Sequence, residues 1–410
     1  MRRVLLPLAL ATALAGASLA PASALTPDAA IARWSSTTEL AKGTLSGAKV
    51  ASGAVTIGTP RSSLTYDDPW GSKRTWQAAS WISPWQSVGF DATHLVPSWS
   101  ATVPKDTWLH VAVRVRKGST YGSWDNVARW APSTDTIHRA SDTAQADDLA
   151  KVNVDTVVAN AGKRFDRYQV RVLLLRKPGT KLTPTLRSVS AIASSYGSRT
   201  QSTSATTMTA AKTLAVPRYS QMIHKGHSPQ WGGGGEAWCS PTSTAMVLSY
   251  FGTGPTKANY AWASGPDPMV DHAARFSYDH RYRGTGNWPF TTGYAGHYGN
   301  DAFVTRLWNL RDAEKFIKAG IPLVASVAFG RGELSGSPIS STPGHLMVVV
   351  GFTKSGAVVV NDPAAASNGS VRRTYSRAQF ERAWLKGSGG VVYVIHPESK
   401  KLPTASKRWR

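Results

Sequence analysis

Between residues 107 and 116 the side chains alternate. Leu109, Val111, Val113 and Val115 fall on one side, with His110, Arg114 and Arg116 opposite. Tyr168, Val170, Val172 and Leu174 repeat the period of two. Such alternation marks strands with one face buried. Turn formers, Tyr121-Gly122-Ser123 and Lys177-Pro178-Gly179, punctuate the runs, and no helical period intervenes. Residues 27–195 are therefore expected to form an all-β sandwich domain.

The pattern then changes. Residues 196–213 are rich in Ser, Thr and Ala and read as a linker or an extended crossover. Residues 214–397 mix periods. Over Cys239–Phe251 the chain is helix-like, with Ala245, Met246, Leu248 and Tyr250 on an apolar flank and Gly252 as a stop. Ser376-Arg377-Ala378-Gln379 reads as a capping box, after which Phe380, Ala383 and Trp384 recur at helical spacing. Strands are expected at 323–327, 347–352, 357–361 and 391–395. Helix first and sheet later is an α+β order. Residues 398–410 form a basic tail carrying Lys400, Lys401, Lys407, Arg408 and Arg410.

At the other end, Arg2 and Arg3 precede an apolar run over residues 4–19, and Ala22-Ser23-Ala24 offers small residues for cleavage. Residues 1–24 read as a signal peptide, since Pro7 and Gly16 make the run too short and broken to span a membrane. No later stretch reaches the ~18 apolar residues a span needs. The expected product is secreted and extracellular, with no integral membrane span after signal removal; the export route stays open.

Composition agrees with two folded units. Of 410 residues, 41% are hydrophobic and 17% charged, which excludes a largely disordered chain. The net charge is +23, which favours anionic surfaces such as a cell-wall polymer. No motif points to nucleic acid. Eight tryptophans lie between Trp70 and Trp130; they could stack on sugars or simply pack strands.

One cysteine changes the picture. Exported proteins usually pair their cysteines, yet Cys239 stands alone. It could be a small buried core residue. Its context argues for chemistry: Gly232 to Gly235 lead into it, and Pro241 fits a first helical turn. A thiol at a helix N-terminus gains from the dipole and free N–H groups, which favour the nucleophilic thiolate. A cysteine nucleophile also needs a base and an orienting group. His345 follows Gly344 and opens a strand, and the next strand ends at Asp362. A hairpin through residues 353–356 would make these two neighbours. Asn361 is the alternative orienter. A rival zinc set of His224, His227, Glu236 and Cys239 lies in a Gly/Pro loop without preorganisation, so no metal and no cofactor is expected. Asp271, His272, His280 and Trp288-Pro289 could line a cleft.

Cysteine on a helix, histidine on a strand and Asn or Asp on the next strand resemble the papain-like fold. The segments ending in Gln221, Trp238-Cys239-Ser240-Pro241, Gly344-His345 and Asn361-Asp362-Pro363 resemble the double-glycine (bacteriocin-leader) peptidase family, specifically its exported, transporter-free bacterial members. The resemblance implies an α+β papain-like cysteine peptidase domain over residues 214–397 and makes Gln221 an oxyanion-hole donor. The expected function is a secreted cysteine peptidase acting on a peptide or protein, through a Cys239 thiolate, a His345 base and an Asp362 orienter. Two alternatives remain. One is a peptidoglycan amidase or cross-link peptidase with the same residues. The other is a non-catalytic wall-binding protein on a peptidase scaffold.

Overall fold

The computed structural model describes residues 27–142 and 145–410; the expected signal peptide, residues 1–24, lies outside them. Among the described residues no helix is long and apolar enough to cross a membrane. The N-terminal half is built of β-strands apart from one helical turn, Thr37–Leu40. One of its two sheets has seven strands and the other nine. Strands used below are β1 (His94–Thr102), β2 (Thr107–Lys117), β3 (Ala150–Asn153), β4 (Thr156–Ala159), β5 (Phe165–Arg176) and β6 (Thr185–Ser194).

The alternation seen in the sequence becomes cross-strand pairing. Strands β2 and β5 run antiparallel with Leu109 opposite Leu174, Val111 opposite Val172, Val113 opposite Val170 and Val115 opposite Tyr168. All eight are buried in one apolar cluster, together with Leu95 and Trp99 of β1 and Val189 and Ala191 of β6 from the other sheet. The two sheets therefore share a core. Five of the eight tryptophans between Trp70 and Trp130 are packing residues: Trp76, Trp81, Trp99, Trp108 and Trp130 are each at most 1% exposed. A sugar-stacking face built from all eight does not exist.

The C-terminal half contains α1 (Cys239–Phe251), α2 (Pro268–Ser277), α3 (Trp288–His297), β7 (Asn300–Arg306), α4 (Leu310–Lys318), β8 (Leu323–Phe329), β9 (Thr342–Phe352), β10 (Val358–Asn361), β11 (Arg372–Tyr375), α5 (Arg377–Ser388) and β12 (Val391–Pro397). Its sheet has the order β7-β12-β8-β9-β10-β11 and is antiparallel throughout. Helix α1 ends at Gly252, whose φ of 65° lets the chain turn out of the helix. The expected capping box before α5 does not form. Ser376 makes no side-chain cap, and Gln379 instead accepts from the Ser335 N–H at 3.0 Å.

The segment 196–213 is an extended crossover bound along its length rather than a free tether. The Glu381 carboxylate accepts from the Ser204 N–H and hydroxyl, both at 2.7 Å. Glu314, fully buried and paired with Arg377 at 2.7 Å, accepts from Thr206 Oγ1 and the Thr207 N–H. The basic tail also folds back. Trp409 is fully buried against Phe316, ring centroids 5.2 Å apart, and the Lys407 carbonyl accepts from the Ile31 N–H.

The two halves are fused. Phe290 of α3 enters the N-terminal core and meets Trp99 edge-on at 6.4 Å. Helix α3 lies so close to β1 that a Cβ at Gly296 would come within 2.7 Å of the Ser100 backbone. The buried Arg139 guanidinium donates to the Ala131 and Pro132 carbonyls on its own side and to those of Arg275 and Tyr278 across the boundary.

Candidate active site

Cys239 is the first residue of α1 and is partly exposed. The preceding residue, Trp238, is fully buried and donates its indole N–H to the Trp231 carbonyl at 2.7 Å. No side chain caps the helix, so its first-turn N–H groups stay open around the thiol. Ser243, one turn on, donates to the Leu346 carbonyl at 3.2 Å and ties α1 to the strand that bears His345.

His345 and Asp362 meet as the hairpin predicts. In the pairing of β9 with β10, Val348 faces Asn361, so the start of one strand lies beside the end of the other. His345 Nε2 and Asp362 Oδ1 are 2.8 Å apart, and both residues are buried. The ring's other nitrogen is left for the thiol, which hydrogen-bonds His345. Asn361 faces elsewhere. Its amide donates to the Pro217 carbonyl at 2.9 Å, and its oxygen accepts from Arg372. Asp362, not Asn361, is the partner of His345.

The three groups shift one another. Burial pushes the Cys239 thiol up, but the hydrogen bond and charge of His345, with the Leu346 and Ser240 N–H groups, hold it below the ordinary thiol value. Burial likewise works against a charged His345, yet the Asp362 carboxylate and Cys239 raise it to about 10. Burial would raise Asp362; the His345 charge, the Tyr375 hydroxyl and the Ala364 N–H bring it below the usual carboxyl value. The charge distribution favoured is thiolate, imidazolium, carboxylate.

Gln221 lies near this set but is otherwise engaged. It is 4% exposed. Its side-chain amide donates to the Glu236 carbonyl, three residues before Cys239, and its backbone N–H donates to the Pro363 carbonyl at 2.9 Å.

The zinc set of His224, His227, Glu236 and Cys239 does not come together. Cys239 faces His345, and Glu236 is exposed, its carboxylate accepting from the Gly226 N–H at 3.3 Å. The two histidines instead flank Asp271, with Nδ1 of His224 at 2.8 Å from one carboxylate oxygen and Nδ1 of His227 at 3.0 Å from the other. One ligand atom from each of these three residues lies within 4.8 Å of the others, and among the described residues His224 Nε2 is buried without a hydrogen-bond partner. Of the other residues expected at a cleft, Trp288 lines it, while His272 is buried beside Tyr294.

A cleft of about 560 Å³ opens beside Cys239. Gly232 and Tyr282 form part of it on the cysteine side, and Gly344 and Leu346 on the histidine side. The N-terminal half contributes residues 153–156 to the lining, among them Val154 and Asp155 in the turn between β3 and β4.

Residues 30–194 match the family model described as Peptidase C39 N-terminal domain, and residues 213–391 the one described as Peptidase_C39 like family. Each half of the chain is thus similar to a C39 peptidase family model, one over its N-terminal part and the other over its C-terminal part. No curated protein matches the chain. Among solved structures, a Bacillus anthracis protein provisionally described as a C39-like peptidase is 17% identical, covering 45% of this chain and 98% of its own, with a TM-score of 0.30.

Two features of the site escaped the sequence reading. Tyr375 on β11 donates its hydroxyl to Asp362 Oδ2 at 2.7 Å, a contact made across two strands that no local pattern announces. The Val154–Asp155 turn reaches the cleft only because the two halves pack together.

Proposed function

We propose that this chain is an exported cysteine peptidase with a papain-like catalytic arrangement. The observation that carries the reading is the contiguous Cys239, His345, Asp362 set at an uncapped helix N-terminus, with the thiol pulled down and the imidazole pushed up. The Cys239 thiolate adds to the substrate carbonyl carbon, and the electron pair moves to oxygen. The Cys239 N–H and the second N–H of the Gln221 amide are suited to hold that oxyanion. His345 gives its proton to the leaving amine, leaving a thioester. It then takes a proton from water as the oxygen adds to the thioester carbon; collapse releases the acid, expels the sulfur and regenerates the thiolate–imidazolium pair. No cofactor enters these steps.

The charge of +23 favours a second, narrower reading in which the peptide is attached to an anionic cell wall. Both readings are tested with the full chain, incubated separately with a mixed peptide library and with purified peptidoglycan. Cleavage of either that disappears in Cys239→Ala supports a hydrolase. No cleavage, together with retained wall binding by Cys239→Ala, would favour the non-catalytic binding protein.

A further inference from the structure

The turn that closes β3 and β4 holds a valine where a glycine would be expected. Asn153 pairs with Thr156, so Val154 and Asp155 are the two central residues of a tight hairpin. Val154 has φ of 57°, and the Asp155 N–H bonds back to the Asn153 carbonyl at 2.8 Å. A positive φ at the first central position is usually given to glycine, and for a β-branched residue it is a genuine outlier. An i to i+2 bond around a positive φ is likewise rare and strained.

The surroundings hold the strained turn in place. Asp155 Oδ2 accepts from the Trp288 N–H, at the start of α3, at 2.9 Å, and Oδ1 accepts from Thr156 Oγ1 at 2.9 Å. Glycine would remove the strain, yet the position carries an isopropyl group that is half-buried and lines the cleft beside Cys239. Strain of this kind persists where the side chain or its placement serves a site.

The N-terminal half also sets the neighbouring wall. Asp279 gathers the loop that carries Tyr282: its Oδ1 accepts from the N–H groups of Arg281 and Tyr282 and from that of Ser141, in the N-terminal half. Both walls are therefore fixed by the domain packing rather than by the C39-like domain alone.

We infer that Val154 is a specificity-determining residue, supplied by the N-terminal domain, that limits the size of the substrate side chain lying beside Cys239. The inference rests on the cysteine peptidase reading, and it predicts an extended peptide threaded between the two halves with a small residue at that point. A methylene or two at such a wall changes discrimination by about 10-fold or more.

The test compares full-length wild type with Val154→Gly and Val154→Phe. Two thiol reagents of different size, iodoacetamide and fluorescein maleimide, report cleft width at Cys239 without requiring hydrolysis. The expected result is an iodoacetamide rate within about 2-fold of wild type in both variants, with fluorescein maleimide labelling faster by about 10-fold in Val154→Gly and slower in Val154→Phe. The peptide library should shift in parallel, Val154→Gly gaining cleavage at larger residues. An unchanged ratio of the two reagents in both variants overturns the inference, whatever the peptidase assay gives. A shifted ratio with no peptide cleaved by wild type upholds the wall and sinks the peptidase reading instead.

Discussion

Tyr375 donates its hydroxyl to Oδ2 of Asp362, the oxygen that His345 does not use. Together with the Ala364 N–H at Oδ1, this fixes the buried carboxylate in one orientation and thereby the imidazole plane. Tyr375→Phe removes the donor without changing the shape. A hydrogen bond to a charged group is worth about 1.5–3 kcal/mol. Turnover is expected to fall by about 10-fold or more, while the pH profile of Cys239 alkylation keeps its low-pH plateau. Loss of the plateau would mean that Tyr375 holds the charge state of the pair, not the geometry.

The thiol pair itself predicts a pH profile. With Cys239 below its ordinary value and His345 at about 10, iodoacetamide labelling should plateau well below the free-thiol pKa of about 8.5. His345→Ala should abolish the plateau and make labelling rise at or above that value, because burial alone pushes the thiol up. Asp362→Asn removes the charge that raises His345, so its profile should lie between the two.

Stability should follow the same groups, with opposite signs at the two ends of the range. The raised His345 contributes fully below its unfolded pKa of about 6.5, and the contribution fades as pH climbs toward 10. The depressed Asp362 contributes above about 3.9 and loses its contribution only as pH falls through its lower folded value. Denaturant midpoints of wild type and His345→Ala across pH 5 to 10 check this: the difference between them should shrink as pH rises, and one that grows would reverse the assignment.

Gln221→Ala separates oxyanion binding from thiol activation. Gln221 makes no hydrogen bond to His345 or Asp362; its amide serves the Glu236 carbonyl on the approach to Cys239. Losing an oxyanion donor costs about 10²–10³ in kcat, with alkylation nearly unchanged. A parallel fall in alkylation would show that the amide shapes the loop before Cys239.

Trp409 tests whether the basic tail is part of the fold. Its ring is fully buried on Phe316, and burying then deleting such a side chain costs about 3–5 kcal/mol. Trp409→Ala should lower the urea midpoint markedly; a midpoint within error of wild type would return residues 398–410 to the status of a loose extension.

The sequence alone determined what depends on near neighbours. Alternation at 109–115 and 168–174 required strands with one buried face, because a period of two leaves no other way to bury every valine. The glycine run and Pro241 around Cys239 announced a helix start, and the short span from His345 to Asn361-Asp362 pointed to a hairpin contact, with the choice between those two residues left to the structure. Local signals also misled. Ser376 and Gln379 have capping-box spacing, yet Gln379 found Ser335 on a distant loop. For segment 196–213, which read as a linker or an extended crossover, the structure shows the crossover, held by Glu314 and Glu381 through its N–H and hydroxyl groups. What the chain could not disclose locally is where independent elements land: Asp271 between His224 and His227, Tyr375 on Asp362, and Val154 at the cleft. Those contacts join residues 13 to 85 positions apart, and their register is set by the packing of α3 against β1 and of the two cores against each other, a many-body fit to which no single stretch of sequence holds the key.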